Sequence, residues 1–166
     1  TEYSYFAPMM QLPEGSAPLT VGKSFTITAD IVAGDDSQGV IAAHGGRFGG
    51  YSFYFADGRP VFTFNLTPAH MTRITANQPV PAGRHKGTLR FDLDEEKGGS
   101  GGQVSISVDE NEVANGRVEQ TFARVVSHSE GFDVGQDLVS PVDPSYASET
   151  SMFNGTLNRV TFTLKH

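Results

Sequence analysis

Apolar and polar residues trade places at every second position along most of this chain, the period of a half-buried β-strand. Residues 24–32 (SFTITADIV) put Phe25, Ile27, Ala29 and Ile31 on one face. Residues 51–55 (YSFYF) and 61–66 (VFTFNL) read as aromatic-rich strands joined by Ala56-Asp57-Gly58-Arg59. Asp-Gly between two such runs predicts a tight hairpin, because both turn residues take φ > 0. Pro60 then opens the returning strand, where a missing N–H is tolerated. Residues 88–93 (TLRFDL) and 104–108 (VSISV) alternate in the same way, and Asp109-Glu110-Asn111 predicts a polar turn into a short strand near Val113. The last run, 156–164, alternates cleanly from Val160. Residues 112–127 carry Val118, Phe122, Val125 and Val126 at helical offsets. Gly116 interrupts that pattern, and Val118, Gln120, Phe122 and Arg124 also alternate, so the segment is read as strand. Eight or more short strands with polar outer faces predict two packed antiparallel sheets, an all-β sandwich spanning residues 24–166.

Two stretches escape the pattern. Residues 1–23 carry Pro8, Pro13 and Pro18 and read as an extended lead-in or interdomain segment lying across another surface, with one edge strand at its start. Residues 131–153 are irregular around Pro141 and Pro144. Loops this long in a compact domain are functional or pinned by contacts.

Composition narrows the partners. At 166 residues and 37% hydrophobic, the chain suits one domain with a real core, and Phe is over-used at 12 residues. A net charge of −7 argues against a sequence-independent nucleic-acid binder and against docking on an anionic membrane. No run of about 18 apolar residues is present to span a bilayer. Cysteine is absent, which removes disulfides and thiolate zinc sites. The chain opens at Thr1 with neither a start methionine nor a signal peptide, as a trimmed or processed piece of something longer would.

Candidate chemistry is sparse. His44-Gly45-Gly46-Arg47-Phe48-Gly49-Gly50 joins two apolar strands. It reads either as a rim loop whose backbone approaches a ligand, with Arg47 as an anion-binding fork, or as a glycine-rich turn with an exposed arginine. A strand follows it, so it is no phosphate loop. Residues 98–102 (GGSGG) read as a flexible link. Asp133, Asp137 and Asp143 offer hard oxygen ligands to calcium within one loop, at a spacing unlike an EF-hand, and otherwise form a solvated turn. The five histidines show no zinc-binding spacing, and no G-x-S-x-G elbow is present. Two carboxylates suffice for a glycosidase, yet nothing singles out a pair. The sequons at Asn65 and Asn154 lie in or beside predicted strands and are taken as incidental. A sugar site would lack tryptophan and would have to stack on Tyr3, Tyr5, Tyr51, Tyr54 or Tyr146.

Residues 39–66 (GVIAAHGGRFGGYSFYFADGRPVFTFNL) resemble the C-terminal region of bacterial arylsulfatases. The likeness extends in order through LPEGSAP (12–18), FTITAD (25–30), VPAGRH (80–85), GGQVSISVD (101–109), FDVGQDLVSPV (132–142) and FNGTLNRVTFTL (153–164), covering nearly the whole chain. The last two stretches also resemble laminin-G and concanavalin-A-like sandwiches. The resemblance implies a jelly-roll fold and a parent enzyme that hydrolyses sulfate esters with a formylglycine from C/S-x-P-x-R and a divalent cation. This chain has no Cys and no Ser-x-Pro-x-Arg, since Ser140 is followed directly by Pro141, so no sulfatase catalytic residue carries over. Tyr51 stands where the family often has Trp, and His44 where Gln is common. The resemblance therefore implies a non-catalytic accessory sandwich that packs on a sulfatase catalytic domain through residues 1–23 and the Arg47 loop, with His44, Arg47 and Tyr51 as interface or binding candidates. It favours a bacterial periplasmic or secreted protein over a cytoplasmic one. The alternatives are a free-standing carbohydrate-binding module and a sandwich-fold glycosidase.

Overall fold

In a computed structural model, described for residues 1–127 and 130–165, the alternating runs pair into two six-stranded antiparallel sheets. Sheet A has the order β1 (Glu2–Tyr5), β12 (Thr156–Leu164), β3 (Phe25–Ala33), β8 (Gly83–Leu93), β9 (Gly102–Val108) and β10 (Asn111–Val118). Sheet B has the order β2 (Met9–Leu12), β11 (Phe132–Val134), β4 (Gly39–Gly46), β5 (Gly49–Ala56), β6 (Arg59–Thr67) and β7 (His70–Thr75). The chain passes back and forth between the sheets, and its first and last strands pair, so the architecture is a jelly roll.

The inward residues of both sheets close on one another as the period-two pattern requires. Phe25, Ile27, Leu89, Phe91, Ile106 and Phe162 of sheet A meet Ile41, Phe53, Phe62 and Phe132 of sheet B, all buried. Phe25 stacks on Phe91 at 5.4 Å, and Phe132 meets Phe162 edge-on at 5.4 Å across the gap between sheets. Burying each such ring contributes about 2–3 kcal/mol, which explains the excess of phenylalanine.

The two sheets differ on their outer faces. In sheet A, β3 alternates buried and more exposed residues along its length, whereas β4, β5 and β6 of sheet B are buried almost continuously. The irregular stretch after β11 causes this by folding back over sheet B. Val142 and Tyr146 pack on Val40, Ala43, Tyr54 and Val61, with Tyr54 and Tyr146 rings 5.0 Å apart.

Asp57 (φ 51°) and Gly58 (φ 74°) both occupy the left-handed region, as the Asp-Gly hairpin requires, and Asp109 (φ 50°) and Glu110 (φ 71°) repeat the turn between β9 and β10. A Cβ on Gly58 would also lie 3.1 Å from Pro79 Cβ. Gly58→Ala should therefore cost about 1–2 kcal/mol, read as a lower urea midpoint at unchanged m-value.

Three expectations need correction. Residues 1–23 hold two edge strands rather than the one expected at their start: β1 edges sheet A and β2 edges sheet B. Four-residue strands are too short to give a periodic signal. The strand expected over 112–127 stops at Val118; beyond it Phe122 turns inward, its ring 4.9 Å from Phe64. Of the 98–102 glycines, Gly98, Gly101 and Gly102 are packed rather than loose, with a Cβ on Gly98 lying 2.1 Å from the Ala123 carbonyl oxygen, and Gly99 alone has open space around it. Among the described residues no helix is long and apolar enough to cross a membrane.

Candidate functional site

The rim candidates separate. His44 and Tyr51 are directly opposite in the β4–β5 register and both point into the core, each 1% exposed. Their rings meet edge-on at 5.8 Å, and His44 meets Phe132 at the same distance. They are packing residues, because β4 runs on through Gly46 and only Arg47-Phe48 is left to turn the hairpin. The flanking glycines serve that tight pairing: a Cβ on Gly45 would lie 2.2 Å from the Gly49 carbonyl oxygen. Arg47 alone of the three is exposed. Its guanidinium lies 4.6 Å over the Phe48 ring, and its N–H donates to Ser140 Oγ. None of the five tyrosines is exposed; the exposed rings are Phe6 and Phe48. Two of the histidines, His128 and His166, lie outside the described residues.

The three aspartates fasten the strap over sheet B instead of converging. Asp143 is fully buried and accepts from Tyr54 OH (2.6 Å), Thr63 Oγ1 (2.6 Å), Arg73 Nε (2.8 Å), Arg73 Nη2 and the Ser145 N–H. Burial pushes this carboxyl up, but the bonds from Arg73, Thr63, Tyr54 and Ser145 outweigh it and hold Asp143 well below the usual carboxylate range. Asp137 accepts from Tyr146 OH and the Val142 N–H. There burial wins, and the carboxyl is pushed up to about 7 against the opposing bonds from Tyr146 and Val142, with Asp133 and Glu130 adding to the rise. Asp133 accepts from the Leu138 N–H. Among the described residues no three His, Cys, Asp or Glu side chains gather as a metal site would need, so the calcium reading of these aspartates finds no cage.

The open chemistry lies on the outer face of sheet A. Direct cross-strand pairing places Ser4, Thr161, Thr28, Thr88 and Ser107 in one outward row across β1, β12, β3, β8 and β9. A parallel row holds Thr163, Thr26, Arg90 and Ser105. A third row carries charge: Arg159 pairs with Asp30, and Asp30 with Lys86. Phe6, 60% exposed, ends that row with the Arg159 guanidinium 5.6 Å over its ring.

This charged row opens into a polar recess of about 580 Å³ lined by Asp30, Arg84, His85, Lys86, Asp109 and Asn158. The turn after β9 forms one wall: Asp109 accepts from the Lys86 N–H (2.9 Å) and pairs with His85 Nδ1 (2.5 Å). His85 Nε2 lies 2.7 Å from the Pro81 carbonyl oxygen. The bond from His85, with the Lys86 N–H adding to it, holds Asp109 below its ordinary value. The side chains of Arg84 and Lys86 are exposed and make no ion pair among the described residues.

Sequence reading passed over this site because it followed the apolar half of the alternation. The signal was present in the polar half, in TIT at 26–28, SIS at 105–107, TFT at 161–163 and the cationic RHK at 84–86.

No protein-family model matches the chain, and no curated protein matches it in sequence. Solved structures do share its fold. The CBM40 of a Ruminococcus gnavus IT-sialidase superposes with a TM-score of 0.59 at 12% identity, covering 96% of this chain and 90% of that one. Domains LG4-5 of the mouse laminin alpha1 chain give 0.56 at 13% identity, over 94% of this chain and 38% of that one. The LG1-3 region of the laminin alpha2 chain gives 0.56 at 14% identity, over 98% and 29%. The arylsulfatase resemblance has no counterpart among these matches. At such identities the likeness is one of architecture: the chain has a concanavalin-A-like jelly-roll fold, as these domains do.

Proposed function

We propose that this chain is a non-catalytic carbohydrate-recognition module that offers the outer face of sheet A to a saccharide. The observation that carries the reading is the polar recess of about 580 Å³ on that face, within the roughly 300–1,000 Å³ of ordinary ligand clefts. Its walls supply what sugar hydroxyls require, carboxylate and amide acceptors from Asp30, Asp109 and Asn158 and cationic donors from Arg84 and Lys86. The adjoining row of Thr and Ser hydroxyls extends the same polar surface across the strands. Phe6 adds an exposed apolar ring at its edge. A shared fold with a sialidase CBM40 lends this reading support of a general kind. The accessory role in a sulfatase has only the sequence resemblance behind it, and its expected docking element, residues 1–23, is built into the sandwich.

A glycan array probed with the folded chain tests the reading. Binding to a defined saccharide class is expected. Asp30→Ala combined with Asn158→Ala should weaken that binding about tenfold or more through lost hydrogen bonds. Absence of any retained glycan, or full binding by the double variant, would rule the face out.

A further inference from the structure

We infer that the recess on sheet A selects a negatively charged saccharide, one bearing carboxylate or sulfate groups. This rests on the carbohydrate reading above and adds the charge of the ligand. The chain as a whole is acidic, at −7, with 12 basic side chains against 19 acidic ones. Around this recess the balance reverses. Arg84 and Lys86 line it and Arg159 stands beside it on the charged row, three positive charges against the two negative ones of Asp30 and Asp109.

The second carboxylate there, Asp109, is half-exposed, and part of its charge is already met by His85 Nδ1 and the Lys86 N–H. Several cations elsewhere are already held by carboxylates. Arg73 is committed to Asp143, Arg90 to Asp92, and Arg117 to Asp94 and Glu119. Arg84 and Lys86, two residues apart on β8, point the same way from the sheet and have no carboxylate partner among the described residues. Two unpaired cations on one face of an acidic protein, beside hydroxyl and amide groups, suit a sugar acid or a sugar sulfate. The guanidinium would take the anion by its planar fork and the ammonium as a point charge.

The test is titration calorimetry on the full chain with three probes of equal length: a heparin-derived hexasaccharide for sulfate, hexagalacturonate for carboxylate, and maltohexaose as the neutral comparator. One or both charged probes should bind more tightly than the neutral one. Arg84→Gln with Lys86→Gln should weaken that binding by about tenfold or more. Both positions are exposed, so thermal unfolding should be unchanged and serve as the folding control. Arg59→Gln, an exposed cation on sheet B, removes one positive charge away from the recess and should leave affinity intact. Raising salt from about 0.05 M to about 0.5 M, which shortens the screening length from about 14 Å to about 4 Å, should weaken the charged probes only.

Equal binding of maltohexaose, unaffected by the double variant, would overturn the charge inference and leave the module reading standing. Equal loss in Arg59→Gln, or none in the double variant, would overturn the site. Failure of all three probes together with an empty glycan array would overturn both readings.

Discussion

Asp143→Ala should lower the free energy of unfolding by about 3–5 kcal/mol, and the thermal midpoint by about 10 °C or more in a chain of this length. The side chain has no exposure to solvent and gathers five donors, from Tyr54, Thr63, Arg73 (twice) and Ser145. These donors do not suffer equally from its loss. The Arg73 side chain is 45% exposed and rehydrates, so its share of the cost is small. Tyr54 and Thr63 are buried between sheet B and its covering strap, where water cannot replace the carboxylate. They lie 3.3 Å apart and can bond to each other, which keeps the expected loss toward the lower end of the range. The useful contrast is Asp92→Ala, which removes an exposed aspartate paired with Arg90 and should cost well under 1 kcal/mol. Urea unfolding of both variants checks the difference. A loss below about 1 kcal/mol for Asp143→Ala would mean that apolar packing of Val142 and Tyr146 alone holds the strap.

The same strap shows where sequence reading stops. Alternation identified the inward residues of β3, β5, β6, β8, β9 and β12, because each exposes one face to water or packs it differently from the other. It could not show that Tyr54 and Ser52, on the polar half of YSFYF, are also covered, since their cover comes from residues about ninety positions away. His44 and Tyr51 were legible as strand neighbours of a glycine-rich turn. Which end of the hairpin they faced depended on the turn being only two residues long. The recess was hidden for a related reason. Asp30, Lys86, Asp109 and Asn158 come from four separate stretches, and cross-strand register alone makes them neighbours. Short strands such as β1, β2 and β11 carry three or four residues each, too few for any period to declare itself.

Asp137 should make the protein more stable on mild acidification, the reverse of the usual carboxylate. Its folded-state value is about 7 where an ordinary aspartate has 3.8. Between those values the native state holds a proton that the unfolded chain has released, so stability falls as pH rises through the window, by about 1.4 kcal/mol per unit and roughly 4 kcal/mol in all. Asp143, held below its ordinary value, works in the opposite sense. Its contribution is complete above the unfolded value and is lost as pH falls below about 4. The two limbs meet, so the thermal midpoint should peak near about pH 4–5 and decline toward neutrality. Asp137→Asn removes the upper limb. The amide oxygen can still accept from Tyr146 and Val142, but its nitrogen takes the place of Oδ1, which has no hydrogen-bond partner among the described residues. That buried N–H₂ costs about 1–3 kcal/mol, so the net gain at about pH 8 is about 1–3 kcal/mol. Below about pH 5 the order reverses and wild type is the more stable, because its proton can sit on Oδ2 and be donated to the Tyr146 oxygen while the Tyr146 hydroxyl donates to Ser52, which leaves no orphaned donor. Thermal unfolding of the two proteins in matched buffers from about pH 4 to about pH 8 should therefore give curves that cross. Parallel curves would show that Asp137 keeps its charge in the fold and that the Tyr146 hydroxyl and Val142 N–H suffice to hold it there.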